Sequence, residues 1–186
     1  MEGRYEVRLA GEGGQGLILA GVILAEAAAV YDGLNATQTQ SYGPEARGGA
    51  SKSEVVISDG EIDYPKVIEA DCLLAMSQEA CDKYVGNLKR DGLLIVDTVH
   101  VKRLPLGRGA LQAPITQLAE EATGRRITAN VVALGVLVGA TKVVSRNAIE
   151  AAVRARAPKG TEDVNLRALV AGLEWAERHA GPGAAR

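Results

Sequence analysis

A glycine-rich hexapeptide, Gly11-Glu12-Gly13-Gly14-Gln15-Gly16, separates the apolar run Val7-Arg8-Leu9-Ala10 from an alanine-rich stretch over residues 17–30. So many glycines do not fit inside a regular element, and a strand should therefore end here and feed a helix. Glycines at 11, 13 and 16 match G-x-G-x-x-G, whose first glycine permits the tight turn, the second a close backbone approach and the third close helix–sheet packing. The helix N-terminus is then open to an anion.

Two readings of this turn stand side by side: a loop that receives a phosphate-bearing ligand, and a turn that only packs a helix on a sheet. Glu12 places a carboxylate where a pyrophosphate would sit. The stretch Ala36-Thr37-Gln38-Thr39-Gln40, which should end the second strand, has no acid to hold a ribose. Asp32 has the nominal spacing but belongs to the turn Tyr31-Asp32-Gly33, ahead of that strand. The expectation is the architecture of a nucleotide-binding fold without a bound NAD.

At 186 residues the chain is long enough to bury about 70% of its unfolded surface as one unit. Residues 1–180 are expected to form a single domain and residues 181–186 a frayed tail. A net charge of −2 gives no broad attraction for nucleic acid. The N-terminal residues lack a secretory pattern, and the longest apolar stretch, 131–144, contains glycine and Lys142 and is too short to span a bilayer. A cytoplasmic protein without a membrane segment is the expectation.

Cys72 and Cys81 read as reduced thiols in a buried strand and the helix after it. With His100 and His179 as the other soft ligands, no metal set and no thiolate set for an iron–sulfur cluster is expected in this chain. Phenylalanine is absent and aromatics make up 3% of residues, so the core must be built from Ala, Val, Leu and Ile, and no base-stacking platform forms.

Along the chain, residues 34–41 read as a second strand and residues 53–58 as a third, with Asp59-Gly60 turning before Ile62 in a hairpin-like departure. Between them lies Ser41-Tyr42-Gly43-Pro44-Glu45-Ala46-Arg47-Gly48-Gly49-Ala50-Ser51, too rich in glycine for an element and in functional side chains for a plain linker. Residues 70–76 form a short apolar strand, Ser77 caps a helix over 78–88, and Asp91-Gly92 turns into a strand over 93–97. A last strand over 110–113 stops at Pro114, which starts a helix over 115–123. Asn130 is read as the cap of a helix over 131–142, with Gly135 and Gly139 as packing glycines. Ser145 starts the helix 146–156. A helix over 164–179 turns Leu166, Leu169, Val170 and Leu173 inward, and Glu174, Glu177 and Arg178 to solvent. Lys52 and Glu54 are expected to point outward. Asp97 ends a strand where α/β ligands gather, without a convergent acid or base. The result is a Rossmann-like three-layer α/β domain with a mostly parallel sheet, a hairpin-like insertion and a helical C-terminus.

With both glycine-rich segments in view, the sequence resembles the gamma subunit, or gamma domain, of the 2-oxoacid:ferredoxin oxidoreductases. The opening motif followed by Ala20-Gly21 and Leu24-Ala25-Glu26-Ala27-Ala28 is similar to the start of that family, and residues 41–49 resemble its signature loop. Weaker similarity runs through Ala70-Asp71 and Asn130-Val131-Val132-Ala133-Leu134-Gly135.

That resemblance implies a complex that converts a 2-oxoacid and coenzyme A to an acyl-CoA and carbon dioxide and passes electrons to ferredoxin. It implies thiamine diphosphate, magnesium and iron–sulfur clusters on alpha, beta and ferredoxin-like delta partner subunits, and no catalytic residue on this chain. Gly11, Gly13, Gly14, Gln15 and Gly16 would meet coenzyme A or a partner. Tyr42, Gly43, Pro44, Glu45, Arg47, Gly48 and Gly49 would form an interface or help hold coenzyme A, Arg47 supplying a planar cation. The beta chain of an indolepyruvate:ferredoxin oxidoreductase and a free-standing nucleotide- or CoA-binding module are the alternatives.

Overall fold

The computed structural model describes residues 3–41 and 50–181. Six strands form one sheet in the order β2-β3-β1-β4-β5-β6: β1 Arg4–Glu12, β2 Asn35–Ser41, β3 Ala50–Ser58, β4 Ala70–Ala75, β5 Leu88–Asp97 and β6 Leu111–Ala113. The pairs β1–β4, β4–β5 and β5–β6 are parallel, whereas β3 is antiparallel to both β1 and β2. A single reversed strand thus sits in an otherwise co-directional sheet. The antiparallel hairpin is β2–β3, not a departure after Asp59-Gly60: residues 59–69 have no strand, and Ile62 packs under the sheet instead.

The helices are α1 Leu17–Glu26, α2 Gln78–Tyr84, α3 Ile115–Thr123, α4 Ala129–Thr141, α5 Arg146–Arg156 and α6 Glu162–His179. α1 runs on into a π-helical turn, Ala27–Tyr31, and α2 into a short 3-10 turn, so β5 begins at Leu88, where helix had been expected. Asp91-Gly92 is a bulge inside β5 rather than its start. A side chain at Gly92 would press on the carbonyl oxygens of Ala70 and Asp71, so the bulge needs glycine there.

Alternation along β1 sends Val7 and Leu9 to one face and Ala10 to the other. The first face carries the larger core, shared with α1, α3, α4, α5 and α6. The second is covered by α2 and by loop residues such as Val67 and Val101. α4 is buried at every position from Asn130 to Ala140, as a helix apolar all round should be, with α6 on its outer side. Gly135 and Gly139 are packing glycines: a Cβ at Gly135 would strike the Leu169 carbonyl oxygen of α6, and one at Gly172 the Val132 carbonyl oxygen of α4.

Both serine caps form. Ser77 accepts the Ala80 N–H at 3.2 Å, and Ser145 accepts the Ala148 N–H at 3.1 Å. Ser145 also donates its N–H and hydroxyl to the two carboxylate oxygens of Asp32, each at 2.6 Å, which fastens α5 to the end of α1. Asp32 is therefore a structural anchor in its turn. Ser145→Ala removes both the cap and one arm of this clamp, and is expected to cost about 1–2 kcal/mol. Urea unfolding checks this through a lower midpoint at unchanged slope.

Candidate functional site

The glycine turn lies at the carboxyl end of β1, beside those of β4 and β5, where the chain departs to β2 and β3 on one side and returns to β4 on the other. Such a switch point leaves a crevice outside the strand ends. A cavity of about 270 Å³ opens there, lined by Gly14, Gln15, Met76, His100, Thr116, Arg126, Ile127 and Ala129. Larger hollows lie at the opposite strand ends near Asp71 and between α3 and α6.

Each glycine of the motif has its own reason. A Cβ at Gly11 would meet Leu17 at 2.8 Å and Met76 at 3.1 Å, so packing demands glycine there. Gly13 and Gly14 face open space. Gly14 and Gly16 take φ of 92° and 76°, the left-handed region that L-residues avoid. Gly16 is also crowded by the Asn130 amide nitrogen, 2.6 Å from where its Cβ would be. Close helix–sheet approach, expected of the third glycine, falls instead to Gly21, where a side chain would collide with Ser53 of β3.

Gln15 closes the turn. Its Oε1 accepts the Glu12 N–H at 2.8 Å and its Nε2 donates to the Met76 carbonyl at 3.0 Å, tying the loop to the end of β4. Glu12 itself is exposed. α1 starts at Gly16 without a side-chain cap, and the first N–H groups of a helix have no intrahelical acceptor. Asn130 is not a cap: α4 begins one residue earlier, and the Asn130 amide donates at 3.2 Å to the Gly16 carbonyl. The turn is thereby held from β4 on one side and α4 on the other.

Asp97 at the end of β5 is fully buried. It accepts the Thr116 hydroxyl at 2.5 Å, the Thr116 N–H at 3.3 Å and the Val99 N–H at 3.2 Å, while His100 stands 3.8 Å away. These bonds make Asp97 the stitch between β5 and the start of α3. Cys72 and Cys81 are buried free thiols; burial, with Asp71 beside it, pushes Cys72 well above the ordinary thiol range, and burial, with Asp82 beside it, raises Cys81. Neither is a reactive thiolate. Among the described residues no group of three or more His, Cys, Asp or Glu side chains converges to hold a metal ion.

Lys52 and Glu54 do not both point to solvent. Glu54 is buried, and one of its oxygens takes the Arg8 Nε and Nη2 and the Lys52 Nζ, each at 2.8 Å. Arg8 is buried too, its Nη1 has no hydrogen-bond partner, and its guanidinium carbon lies 5.5 Å from the centre of the Tyr84 ring. Glu6, two residues earlier on the same face, receives Arg4 at 2.6 Å and the N–H groups of Ile68 and Glu69 at 2.6 and 3.1 Å. The second sheet face therefore has charged pairs among its apolar contacts. Tyr42, Gly43, Pro44, Glu45, Arg47, Gly48 and Gly49 lie outside the described residues.

Fold and site together define a three-layer α/β protein whose strand-end crevice is lined by the glycine turn, His100, Thr116 and Arg126. The chain belongs to the family described as pyruvate ferredoxin/flavodoxin oxidoreductase, which matches residues 6–175. It is 53% identical over 181 residues to the 2-oxoglutarate synthase subunit KorC of Methanothermobacter thermautotrophicus, covering 94% of this chain and 96% of that one. The gamma subunit of a keto/oxoacid ferredoxin oxidoreductase from Geobacter sulfurreducens superposes with a TM-score of 0.89 at 52% identity, over 96% of this chain and 99% of that one. The 2-oxoglutarate:ferredoxin oxidoreductase of Magnetococcus marinus, solved with 2-oxoglutarate, coenzyme A and succinyl-CoA bound, superposes with a TM-score of 0.84 at 25% identity. The match covers 98% of this chain and 33% of that one. Among the described residues no helix is long and apolar enough to cross a membrane.

Proposed function

We infer that this chain is the gamma subunit of a multi-subunit 2-oxoacid:ferredoxin oxidoreductase, and that the complex acts on 2-oxoglutarate. The observation that carries this reading is the correspondence, over nearly the whole of both chains and at about half identity, with a 2-oxoglutarate synthase subunit and with a solved gamma subunit. The complex couples decarboxylation of the 2-oxoacid to acyl transfer onto coenzyme A, with ferredoxin as electron acceptor. Thiamine diphosphate, magnesium and the iron–sulfur clusters belong on alpha, beta and ferredoxin-like delta partners, in the cytoplasm. No step of the chemistry is assigned to this chain, whose residues 1–180 act as one supporting unit.

Its contribution is placement. The open faces of Gly13 and Gly14 and the uncapped start of α1 support a contact between the glycine turn and either coenzyme A or a partner backbone. The segment 42–49 joins β2 to β3, and its Arg47 supplies a bidentate cation for a carboxylate or phosphate.

Assembly with its partner chains and assay of coenzyme A-dependent ferredoxin reduction tests the reading, with 2-oxoglutarate, pyruvate, 2-ketoisovalerate and indolepyruvate offered in parallel. Turnover confined to 2-oxoglutarate is expected. Preference for indolepyruvate would reassign the chain to the beta position of that enzyme, and a monomer that recruits nothing would make it a free-standing binding module. Within the active complex, Arg47→Ala is expected to raise the KM for coenzyme A or weaken alpha-chain association about tenfold or more, the worth of one charge-assisted contact. If both stay unchanged, Arg47 merely stiffens its own segment.

A further inference from the structure

Every outer helix of a water-facing protein should show a polar stripe, and α1 does not. Across α1 and its π-helical continuation, the sole charged side chain is Glu26, and it is engaged by Arg156 of α5. Positions 19, 22, 26 and 30 follow one another at helical three- and four-residue steps on the side turned from the core. Leu19 there is 43% exposed and Val30 66%, with Tyr31 beside them at 42%. α5 and α6 differ, presenting Arg146 and Arg154, and Glu174 and Arg178, to water. The apolar face of α1 is thus a local property of one helix.

Two features surround that face. α1 leaves directly from the glycine turn, and it packs beside β2, the sheet's edge strand, whose sequence Asn35-Ala36-Thr37-Gln38-Thr39-Gln40-Ser41 holds no charge. β2 leads in turn into segment 42–49. An uncharged strand edge and an apolar helix therefore adjoin both segments read as contacting a partner. Depletion of charge with retained apolar anchors is what marks the core of a protein interface.

We propose that the outward face of α1, anchored by Leu19, Val22 and Val30, is the surface on which the large partner chain of the oxidoreductase seats. The inference rests on the gamma-subunit reading and names the surface that reading requires. The occupant is argued from chain length. In the Magnetococcus enzyme the matching unit is 33% of its polypeptide, so about two thirds of that chain lies outside the unit and is joined to it covalently. Where the unit is a separate chain, the same neighbour must be held by surface contact alone. A face that lies against a permanent neighbour has no need of a hydrated stripe.

The test is co-purification of the tagged chain with its co-expressed partner chains, followed by sizing with light scattering. Leu19→Glu combined with Val30→Glu is expected to cut recovery of the large partner at least tenfold. The isolated variant should keep its circular dichroism and melting temperature, because both sites are solvent-facing. Val30→Lys alone, at the most exposed of these positions, carries the same expectation and guards against misfolding of the double variant. Undiminished recovery with either folded variant overturns the proposal while leaving the gamma-subunit reading intact. An isolated wild-type dimer that the substitutions dissociate overturns it in favour of a second copy of this chain. Failure of the wild type itself to recruit any large partner overturns both.

Discussion

Glu54→Ala is expected to lower unfolding stability by about 3–5 kcal/mol, the largest effect of any single change on the β1–β3 ladder. Arg8 and Lys52 share one Glu54 oxygen, so its loss leaves a buried guanidinium with neither charge partner nor hydrogen-bond acceptor. The Tyr84 ring offers only a partial substitute, since a cation over a desolvated aromatic face is worth about 2 kcal/mol. The converse experiment separates charge from packing. Replacing both partners, Arg8→Met with Glu54→Leu, removes the stranded charge and should restore most of the loss. Denaturant titration of the wild type, both single variants and the double variant gives the coupling energy. A Glu54→Ala loss below about 1 kcal/mol would mean that water reaches Arg8 and that the pair is a surface pair in effect.

Gly172→Val should be still less tolerated. A Cβ at this site would drive into the Val132 carbonyl oxygen and lie 2.8 Å from the Val136 nitrogen, and neither obstacle is a side chain able to rotate away. The facing glycine is Gly135, so the α4 and α6 backbones meet here without intervening side chains. Separating the helices would open space along the whole α4–α6 contact, so the expected cost is about 3 kcal/mol or more, with loss of the folded chain at ordinary temperatures. Thermal melts of Gly172→Ala and Gly172→Val should fall in that order. Equal, small shifts would show that α6 is free to slide.

Local signals carried most of the fold. Pro114 marks the start of α3, Ser77 and Ser145 cap the helices they precede, and the spacing of Gly135 and Gly139 signals a tight helix crossing, each because the cause lies within a few residues of the effect. What stayed hidden depends on register between distant segments. Glu54 is buried because β3 pairs Arg8 with it across 46 positions, and Asn130 serves Gly16 across 114. A clue did exist in Arg4-Tyr5-Glu6-Val7-Arg8-Leu9: charges at alternate positions of a central strand must find buried partners on one face. The glycine turn was legible as a turn at a strand end. The role of Gln15 was not, because its acceptor on Met76 lies 61 residues on.

The enclosure of α4 has a bearing on how the chain is made. A helix apolar on every side is completed before α6, the element that covers it, has been synthesised. A nascent chain that has delivered α4 but not α6 therefore leaves the α6-facing side of α4 uncovered, and native burial waits on the emergence of α6. Nascent chains stalled between α5 and α6 should be the species that chaperones hold longest and that aggregates first. The final helix thus acts as the latch of the folding reaction, and an expression strategy that slows its delivery invites insoluble product.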